Sequence, residues 1–513
     1  MISAARSRLA VPVQIAFLVL NGLGIFTSIV YNTNTPDLYP NNSHHKIGWA
    51  ITCIAGVWIL LGFVSFFNVT RQVPAPGHSM TSQNLAQYHQ LNDYGIRDDC
   101  RFSRDSGQGT ERNSTSIFSP SRANSADSVH QKPEAPLSAS DQGEDENDNA
   151  ERQGFIRTGR VDRYISSKIS RLPSGRTLTA IKILHVVLER FQPLLGFLAL
   201  CTGFVTWWGI FHPSGIFNGL AHWIKGAVFF WYGLLTLGRW MGAFCVFGWA
   251  WNVRPSYPLV TRFASKMPSA EFIESFLFFF YGATNVFLEH LNAWGKPWET
   301  ADFQHVSITI MFFGGGLLGM LIESKTARHF LNSNILIKQE ESARFIGPDE
   351  AQKEEWNQPK QYSTSLNPMP GLVVVLLGLM MSSHHQNSMV STMVHKQWGM
   401  LLVVAGLARA VTYILMFLNP PTSHFPSRPP SEVVTAFCLV SGGLIFMAST
   451  RDVVIMLEHS AVDAMFTFTV GMGLTALIMA WTTILYGIKG WAHRREARRV
   501  IGASFSGESG ADG

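Results

Sequence analysis

Apolar blocks alternate with polar segments along the whole chain. A helix needs roughly 20 mostly apolar residues to cross a hydrocarbon core of ~30 Å. Backbone groups inside a bilayer must be satisfied internally, and the apolar blocks lack the alternation of barrel strands, so the pattern predicts α-helices. We therefore expect an all-α, polytopic integral membrane protein with about ten transmembrane helices, at about 10–31, 47–67, 191–211, 222–250, 268–289, 303–323, 370–390, 395–417, 432–450 and 464–488.

A long polar insert, residues 68–178, interrupts this pattern after the second apolar block. It is rich in Ser, Asp, Gly, Gln and Arg and carries an acidic run at 143–148. Such a composition cannot bury a core, so we expect the insert to be disordered. The expected organisation is an N-terminal transmembrane hairpin at 1–67, the insert, a main transmembrane helical domain at 179–500 and a disordered tail at 501–513.

Charge placement predicts the orientation of the chain. The sequence is 47% hydrophobic and 15% charged, with a formal net charge of +5. With ten spans, the basic residues near span ends fall on one side, which the positive-inside rule makes cytosolic. We expect both termini and the insert in the cytosol, and the spans in the plasma membrane or an endomembrane. We expect these basic residues to contact the lipid bilayer and not nucleic acid. The sequence contains no Gly-rich phosphate-binding loop, so it gives no indication of a nucleotide site.

The seventh span places two histidines inside the membrane. Its apolar run from Gly371 to Met381 is followed by the polar block 382–388, which contains His384 and His385. About eleven apolar residues are too few to cross the bilayer, so the pair should lie in the outer third of the membrane. Ionisable residues at that depth are costly and usually functional. The alternative is that both histidines only bond to neighbouring helices.

Further histidines and carboxylates lie at the outer ends of spans five to eight. Spans five and six each carry a polar stripe, which includes Glu274 and Asn285 on the first and Thr309 on the second. Imidazole and carboxylate groups can relay protons or bind zinc or copper. If the four spans pack together, the predicted metal ligands are Glu289, His290, Asp302, His305, His384, His385 and His395.

The amino half carries a pattern that favours haem b. His44 lies four residues before Gly48, and His222 lies four residues before Gly226. A b-type haem needs axial histidines from two helices, with small residues making room for the ring. His45 is the alternative to His44, and His185 could serve a second site on the cytosolic side.

Two stretches of the chain resemble known families. Residues 35–49, from Thr35 through His44 to Trp49, resemble a fungal membrane domain that is similar to the cytochrome b-561 type core. Residues 287–290, with Trp298 and His305, together with 383–386, resemble the C-terminal domain of the fungal YTP-type transmembrane protein family. The resemblance implies an integral membrane protein. In the cytochrome pattern an earlier helix carries a histidine; the first span here has none, and residues 1–7 look like the end of that helix, so we expect the sequence to start inside the pattern.

Three functions are consistent with this sequence. The first is a transmembrane redox protein with haem b and a His/carboxylate cluster at the outer face. The second is a metal-dependent membrane transporter or an intramembrane hydrolase. The third is a structural membrane protein whose polar residues only hold helices together. The residues do not decide whether the protein is an enzyme.

Overall fold

The computed structural model describes residues 10–34, 42–71, 175–212, 215–285, 295, 297–298, 300–346, 359–383, 386 and 388–508, and these residues form helices and connecting turns without a strand. The first seven helices are α1 (Ala10–Asn34), α2 (Ser43–Arg71), α3 (Gly175–Trp208), α4 (Ile216–Met241), α5 (Arg262–Lys266), α6 (Ala270–Asn285) and α7 (Thr300–Glu323). The later ones are α8 (Lys325–Leu331), α9 (Ser333–Ile346), α10 (Met369–Ser382), α11 (Met389–Leu418), α12 (Pro430–Ala448), α13 (Arg451–His459) and α14 (Ala464–Glu508).

Seven of the described helices are long and apolar enough to cross a membrane: α1, α2, α3, α7, α11, α12 and α14. The prediction of a multi-pass helical membrane protein is confirmed, whereas the number of ten spans is not. The other three predicted spans fall on α4, α6 and α10. Helix α4 has 26 residues but carries charged and polar side chains, and α10 has only 14 residues. The described part of α6 has 16 residues, with 286–289 outside the described residues.

Several helix ends differ from the sequence prediction. Helix α4 ends at Met241 and not at 250, because Gly242 adopts a left-handed conformation (φ 90°) and donates its N–H to carbonyls of the last turn. Helix α3 begins at Gly175, inside the segment predicted to be a disordered insert. Helix α14 continues to Glu508, beyond the boundary at 500 where a disordered tail was expected. The rest of the insert, 72–174, lies outside the described residues.

The chain divides into two units, one of residues 1–54 and 192–513 and the other of 55–191. In the larger unit α4 packs on α12, α12 on α11, α11 on α10, α10 on α7 and α7 on α6, while α14 covers α11 and α12. The consecutive packing of α6, α7, α10 and α11 meets the condition on which the predicted metal site depended, and the site itself stays a prediction. In the smaller unit Trp58 stacks on His185 with ring centroids 6.2 Å apart.

Glycines allow these helices to approach closely. A Cβ atom at Gly443 of α12 would lie 2.5 Å from the backbone nitrogen of Phe230 on α4. A Cβ atom at Gly378 of α10 would lie 2.5 Å from the carbonyl oxygen of Gly399 on α11. Small residues are the usual means of close helix packing in membranes. Lipid is as apolar as the helix surfaces, so close van der Waals packing and not the hydrophobic effect holds the helices together.

Candidate functional site

Five ionisable side chains meet inside the larger unit. Arg239 comes from α4, Glu271 and Glu274 from α6, Arg409 from α11 and Glu432 from α12. Each of them exposes 4% or less of its surface. We refer to these five residues as the charge cluster. Because charged groups are expensive away from water, their assembly from four helices marks the first candidate site.

Arg239 is fully engaged by its neighbours. It donates from Nη1 to Oε1 of Glu274 at 2.8 Å and from Nη2 to Oε1 of Glu271 at 2.6 Å. Its Nε donates to the carbonyl oxygen of Trp249 at 2.7 Å. The guanidinium carbon lies 4.2 Å from the ring centroid of Trp251, which is close enough for a cation–π interaction. Arg239 therefore anchors both carboxylates of α6.

Arg409 joins the carboxyl groups of two different helices. Its Nη1 donates to Oε2 of Glu274 at 3.2 Å, and its Nε lies 2.7 Å from Oε1 of Glu432. On the side of α4, Nη2 donates to Oγ1 of Thr236 at 3.3 Å and Nη1 lies 3.5 Å from the hydroxyl of Tyr232. Arg409 thus sits at the centre of the charge cluster and contacts α4, α6 and α12.

Local sequence explains why the charges gather at this end of the helices. Glu271 lies in the first turn of α6 and Glu432 in the first turn of α12, whereas Arg239 lies in the last turn of α4. Acidic groups are favourable at helix N-termini and basic groups at helix C-termini, because of the helix dipole. The N-termini of α6 and α12 therefore meet the C-terminus of α4, and complementary charges come together. Glu271 and Glu274 are three residues apart and share one face of α6.

The charge cluster is not balanced. It contains three carboxyl groups and two guanidinium groups, so one negative charge is left over if all five are ionised. Glu274 accepts hydrogen bonds from both arginines. Glu432 contacts a single guanidinium group, that of Arg409, and the uncharged hydroxyl of Thr412. The hydroxyl of Tyr413 is buried without a partner among the described groups.

A histidine pair lies toward the other end of the same helices. The ring centroids of His222 on α4 and His395 on α11 are 6.1 Å apart. Phe446 of α12 packs edge-on against His222 at 5.6 Å and stacks on Trp398 at 4.1 Å. His305 on α7 is near enough to act on His222 electrostatically. We refer to His222 and His395 as the histidine pair.

Hydrogen bonds orient both rings of the pair. Nδ1 of His222 lies 2.9 Å from the carbonyl oxygen of Asn218, and Nδ1 of His395 lies 2.8 Å from that of Ser391. A carbonyl can only accept, so each Nδ1 carries a proton. Metal-binding histidines are commonly oriented by such a bond on the other nitrogen.

The remaining predicted haem ligands lie in other surroundings. His44 of α2 contacts α3, with Nδ1 2.9 Å from Oγ1 of Thr202, and His45 beside it is exposed. His185 belongs to the smaller unit, where its Nε2 is buried and has no partner among the described groups. The space beside Gly226 is filled by α12, since a Cβ atom there would lie 2.7 Å from the carbonyl oxygen of Gly443. The surroundings of His222 therefore do not support a porphyrin, and haem b stays a prediction.

The predicted metal ligands are only partly within the described residues. Asp302 and His305 lie in the first turns of α7, half-buried and exposed respectively, and His395 belongs to the histidine pair. The other four, Glu289, His290, His384 and His385, lie outside the described residues. Within the described part of the chain, no three His, Cys, Asp or Glu side chains are arranged to hold a metal ion. The predicted polar stripes do meet where Asn285 donates to Oγ1 of Thr309 at 3.1 Å.

Sequence reasoning overlooked the most buried charged residues of the site. Arg239, Arg409 and Glu432 were not among the predicted site residues, although each stands inside a predicted span. A charge inside an apolar segment is a signal by itself. Histidines are the more familiar ligands, and the two arginines have no obvious partner in the sequence.

The fold and the buried polar sites define a multi-pass helical membrane protein. Residues 195–490 match the family described as Protein YTP1-like, C-terminal, and residues 1–68 match a domain of unknown function, DUF2427. The chain belongs to the YTP1-like family, as the residues around 287–305 and 383–386 predicted. The similarity to cytochrome b-561 type proteins stays a prediction.

Three relatives in yeasts show the extent of this similarity. An uncharacterized membrane protein of Schizosaccharomyces pombe is 34% identical over 503 residues, covering 96% of this chain and 90% of its own length. An uncharacterized membrane protein of Saccharomyces cerevisiae is 40% identical over 286 residues, covering 54% and 43%. Protein YTP1 of Saccharomyces cerevisiae is 23% identical over 302 residues, covering 58% and 53%. No solved structure matches the chain.

Proposed function

We propose that this protein is a membrane transporter for a small cation, and that the charge cluster changes its ion pairs during transport. The observation that carries the proposal is Arg409, which is buried between Glu274 and Glu432 on two other helices. A buried ion-pair network is weak evidence for stability, because well-packed apolar residues often stabilise a core equally well or better. Five buried ionisable groups therefore favour a functional explanation.

The histidine pair supports a cation as the transported species. Helices α4 and α11 each carry one histidine of the pair and one arginine of the charge cluster. At 1.5 Å per residue, His222 and Arg239 are separated by about 25 Å along α4, and His395 and Arg409 by about 21 Å along α11. Neutral imidazoles can bind a metal ion or a proton, and the cluster carries an excess of carboxyl groups. The same two helices thus connect a cation acceptor with an acidic interior.

The proposal also covers the orientation of the two sites in the membrane and the identity of the metal. The basic residues at span ends favour the charge cluster at the cytosolic end and the histidine pair at the outer end, with both termini in the cytosol. In this proposal the predicted zinc or copper is the transported ion and not a resident cofactor, and these two metals are the first probes. The intramembrane hydrolase stays an alternative prediction, because four of its candidate ligands, Glu289, His290, His384 and His385, lie outside the described residues.

Transport can be tested with a small panel of ions. The purified protein is reconstituted into liposomes that contain a dye for Zn²⁺, Cu⁺ or H⁺, and the ion is added outside. We expect faster uptake of at least one ion than in empty liposomes, and a loss of at least about tenfold in Arg409→Gln, equivalent to about 1.4 kcal/mol of barrier. Arg451→Gln is the matched control, because Arg451 is exposed on α13. Wild-type liposomes that take up none of the three ions would refute the transporter.

A redox protein with haem b is the second candidate, favoured by one observation. Nε2 of His185 is buried, lacks a partner among the described groups and lies in a ring stacked on Trp58. A histidine that is an axial haem ligand presents such a nitrogen atom to the iron. Residues 55–71 and 175–191 contain no second histidine, so the other axial ligand would come from elsewhere in the chain. Bound haem would supply electron transfer. The test is a reduced-minus-oxidised spectrum, in which b-type bands lost in His185→Ala but kept in His459→Ala would support this candidate.

A further inference from the structure

We propose that Glu432 is a proton-binding site, and that this buried residue holds an exchangeable proton as a neutral carboxylic acid in the state described here. Only the role of this proton, which is to couple proton movement to cation transport, rests on the proposed function. The protonation itself rests on charge, burial and hydrogen bonding in the charge cluster.

Charge balance requires one proton or one cation. The charge cluster combines three carboxyl groups with two guanidinium groups, and all five side chains are at least 95% shielded from solvent. An uncompensated charge in such a place is very costly, so a buried acid normally becomes neutral instead. One added proton makes the charge cluster neutral.

Hydrogen bonding identifies the carboxyl group that holds this proton. Glu271 accepts from Arg239, and Glu274 accepts from both Arg239 and Arg409 through separate oxygens. Charge-assisted bonds of this kind stabilise the ionised form.

Glu432 is completely buried, and its Oε1 faces Nε of Arg409 at 2.7 Å without the alignment of a good hydrogen bond. Its other neighbour is the uncharged hydroxyl of Thr412, which also bonds to Ser431. Glu432 is therefore the carboxyl group with the least support for a negative charge.

The helices packed on α12 surround Glu432 with groups that can respond to its proton. Helix α11 contributes Arg409 and Tyr413, whose hydroxyl is buried and unpartnered among the described groups. Helix α4 contributes Arg239 and, through its contact with Arg409, Tyr232. Helix α6 contributes Glu271 and Glu274 through the same network. Helix α14 brings Tyr486 against the apolar cluster that contains Ala436 of α12.

A consequence for transport follows from the position of Arg409. Loss of the proton from Glu432 leaves a full negative charge at its Oε1, which attracts Arg409 away from Glu274. With the proton on the other oxygen of Glu432, the full ion pair of Arg409 is with Glu274, and the neutral Oε1 of Glu432 remains a weaker acceptor 2.7 Å from Nε, as in the state described here. The proton on Glu432 thus decides which of the two helices, α12 or α6, holds the arginine more strongly.

Infrared spectroscopy of the full-length protein in liposomes tests the inference at neutral pH. A protonated carboxylic acid has a C=O stretching band that is separate from carboxylate bands, and exposed glutamates with ordinary pKa values near 4.3 do not contribute to it. We expect such a band in the wild type, a shift of the band in D₂O, and its loss in Glu432→Gln. The band should persist in Glu458→Gln, which removes an exposed glutamate of α13.

The outcomes separate the inference from the proposed function. Absence of the band in the wild type, or its persistence in a folded Glu432→Gln variant, would overturn the inference even if ions are transported. Labelling of glutamate with ¹³C in the wild type provides a second test that needs no variant, because the band must then shift. A band assigned to Glu432 in a protein that transports none of the probe ions would support the proton site and refute the transporter.

Discussion

Arg409 on α11 lies with its Nε 2.7 Å from Oε1 of Glu432 on α12, and both side chains are almost completely buried. Because Arg409 also donates to Glu274 on α6, its single guanidinium group connects three helices. Removal of one member of a buried ion pair leaves the other charge uncompensated, which typically costs about 3–5 kcal/mol. The stability of the helical bundle should therefore depend strongly on Arg409.

Replacement of Arg409 by Gln should lower the melting temperature in detergent far more than replacement of an exposed arginine. The variant leaves three carboxyl groups with Arg239 alone, and the expected loss is about 3–5 kcal/mol. Arg451→Gln should stay within about 0.5 kcal/mol of the wild type, because its side chain is exposed. Tryptophan fluorescence during heating measures both. Equal melting temperatures would contradict the central position of Arg409.

A single methyl group should separate α4 from α12. A Cβ atom at Gly443 would lie 2.5 Å from the backbone nitrogen of Phe230 and 2.6 Å from the carbonyl oxygen of Gly226. Backbone atoms can only give way if the helices move, so Gly443→Ala should lose about 1–3 kcal/mol. At Gly473 of α14 a Cβ atom meets nothing within 4 Å. Gly473→Ala should therefore be neutral or stabilising by up to about 1 kcal/mol, and the same melting assay compares the two variants.

Much of the fold could be predicted from the sequence because bilayer thickness imposes a length on each apolar segment. Helices α12 and α14 begin within two residues of the predicted spans at 432–450 and 464–488, and α11 begins six residues before its predicted span and ends one residue after it. The limits of α4 could not be predicted in this way. Its apolar pattern continues past Met241, and only the left-handed Gly242 ends the helix there.

The candidate site was harder to predict because it depends on which helices are neighbours. The polar stripe with Glu274 and Asn285 was evident from helical spacing, and Asn285 does contact Thr309. The pairing of Glu274 with Arg239 and Arg409 was not evident, since these residues are 35 and 135 positions away in the chain. For the same reason His222 and His395 were assigned to different sites, although their rings are neighbours.

Zinc should stabilise the purified protein through the histidine pair. Ligand at 100 times its Kd stabilises a protein by about 2.7 kcal/mol, which is visible as a higher melting temperature. His222→Ala should reduce this effect, because it removes one of the two oriented imidazoles. His459→Ala is the matched control: its Nδ1 has the same bond to a carbonyl one turn earlier, but its side chain is exposed. An equal zinc effect in the wild type and in His222→Ala would contradict cation binding at this pair.

The orientation predicted from basic residues should be visible in glycosylation. Asn41 begins the sequon Asn41-Asn42-Ser43 in a predicted outer loop, whereas Asn113 begins a sequon in the insert that we expect in the cytosol. Expression in a yeast should give a glycan-dependent mobility shift that Asn41→Gln abolishes and Asn113→Gln does not change. A shift that depends on Asn113 would reverse the predicted topology.

Glu323 at the end of α7 should hold the chain segment before α10 in place. Its Oε2 accepts from Oγ of Ser269 at 2.6 Å, and its Oε1 accepts from Oγ of Ser365 at 2.7 Å. Hydrogen bonds to charged groups contribute about 1.5–3 kcal/mol each, so Glu323→Ala should release the segment 359–368 from α7. Hydrogen–deuterium exchange read by mass spectrometry should then be faster in that segment, while the control Glu341→Ala, an exposed position on α9, should exchange like the wild type. A uniform increase over the whole bundle, without a larger effect in 359–368, would show that Glu323 supports general stability and not this attachment.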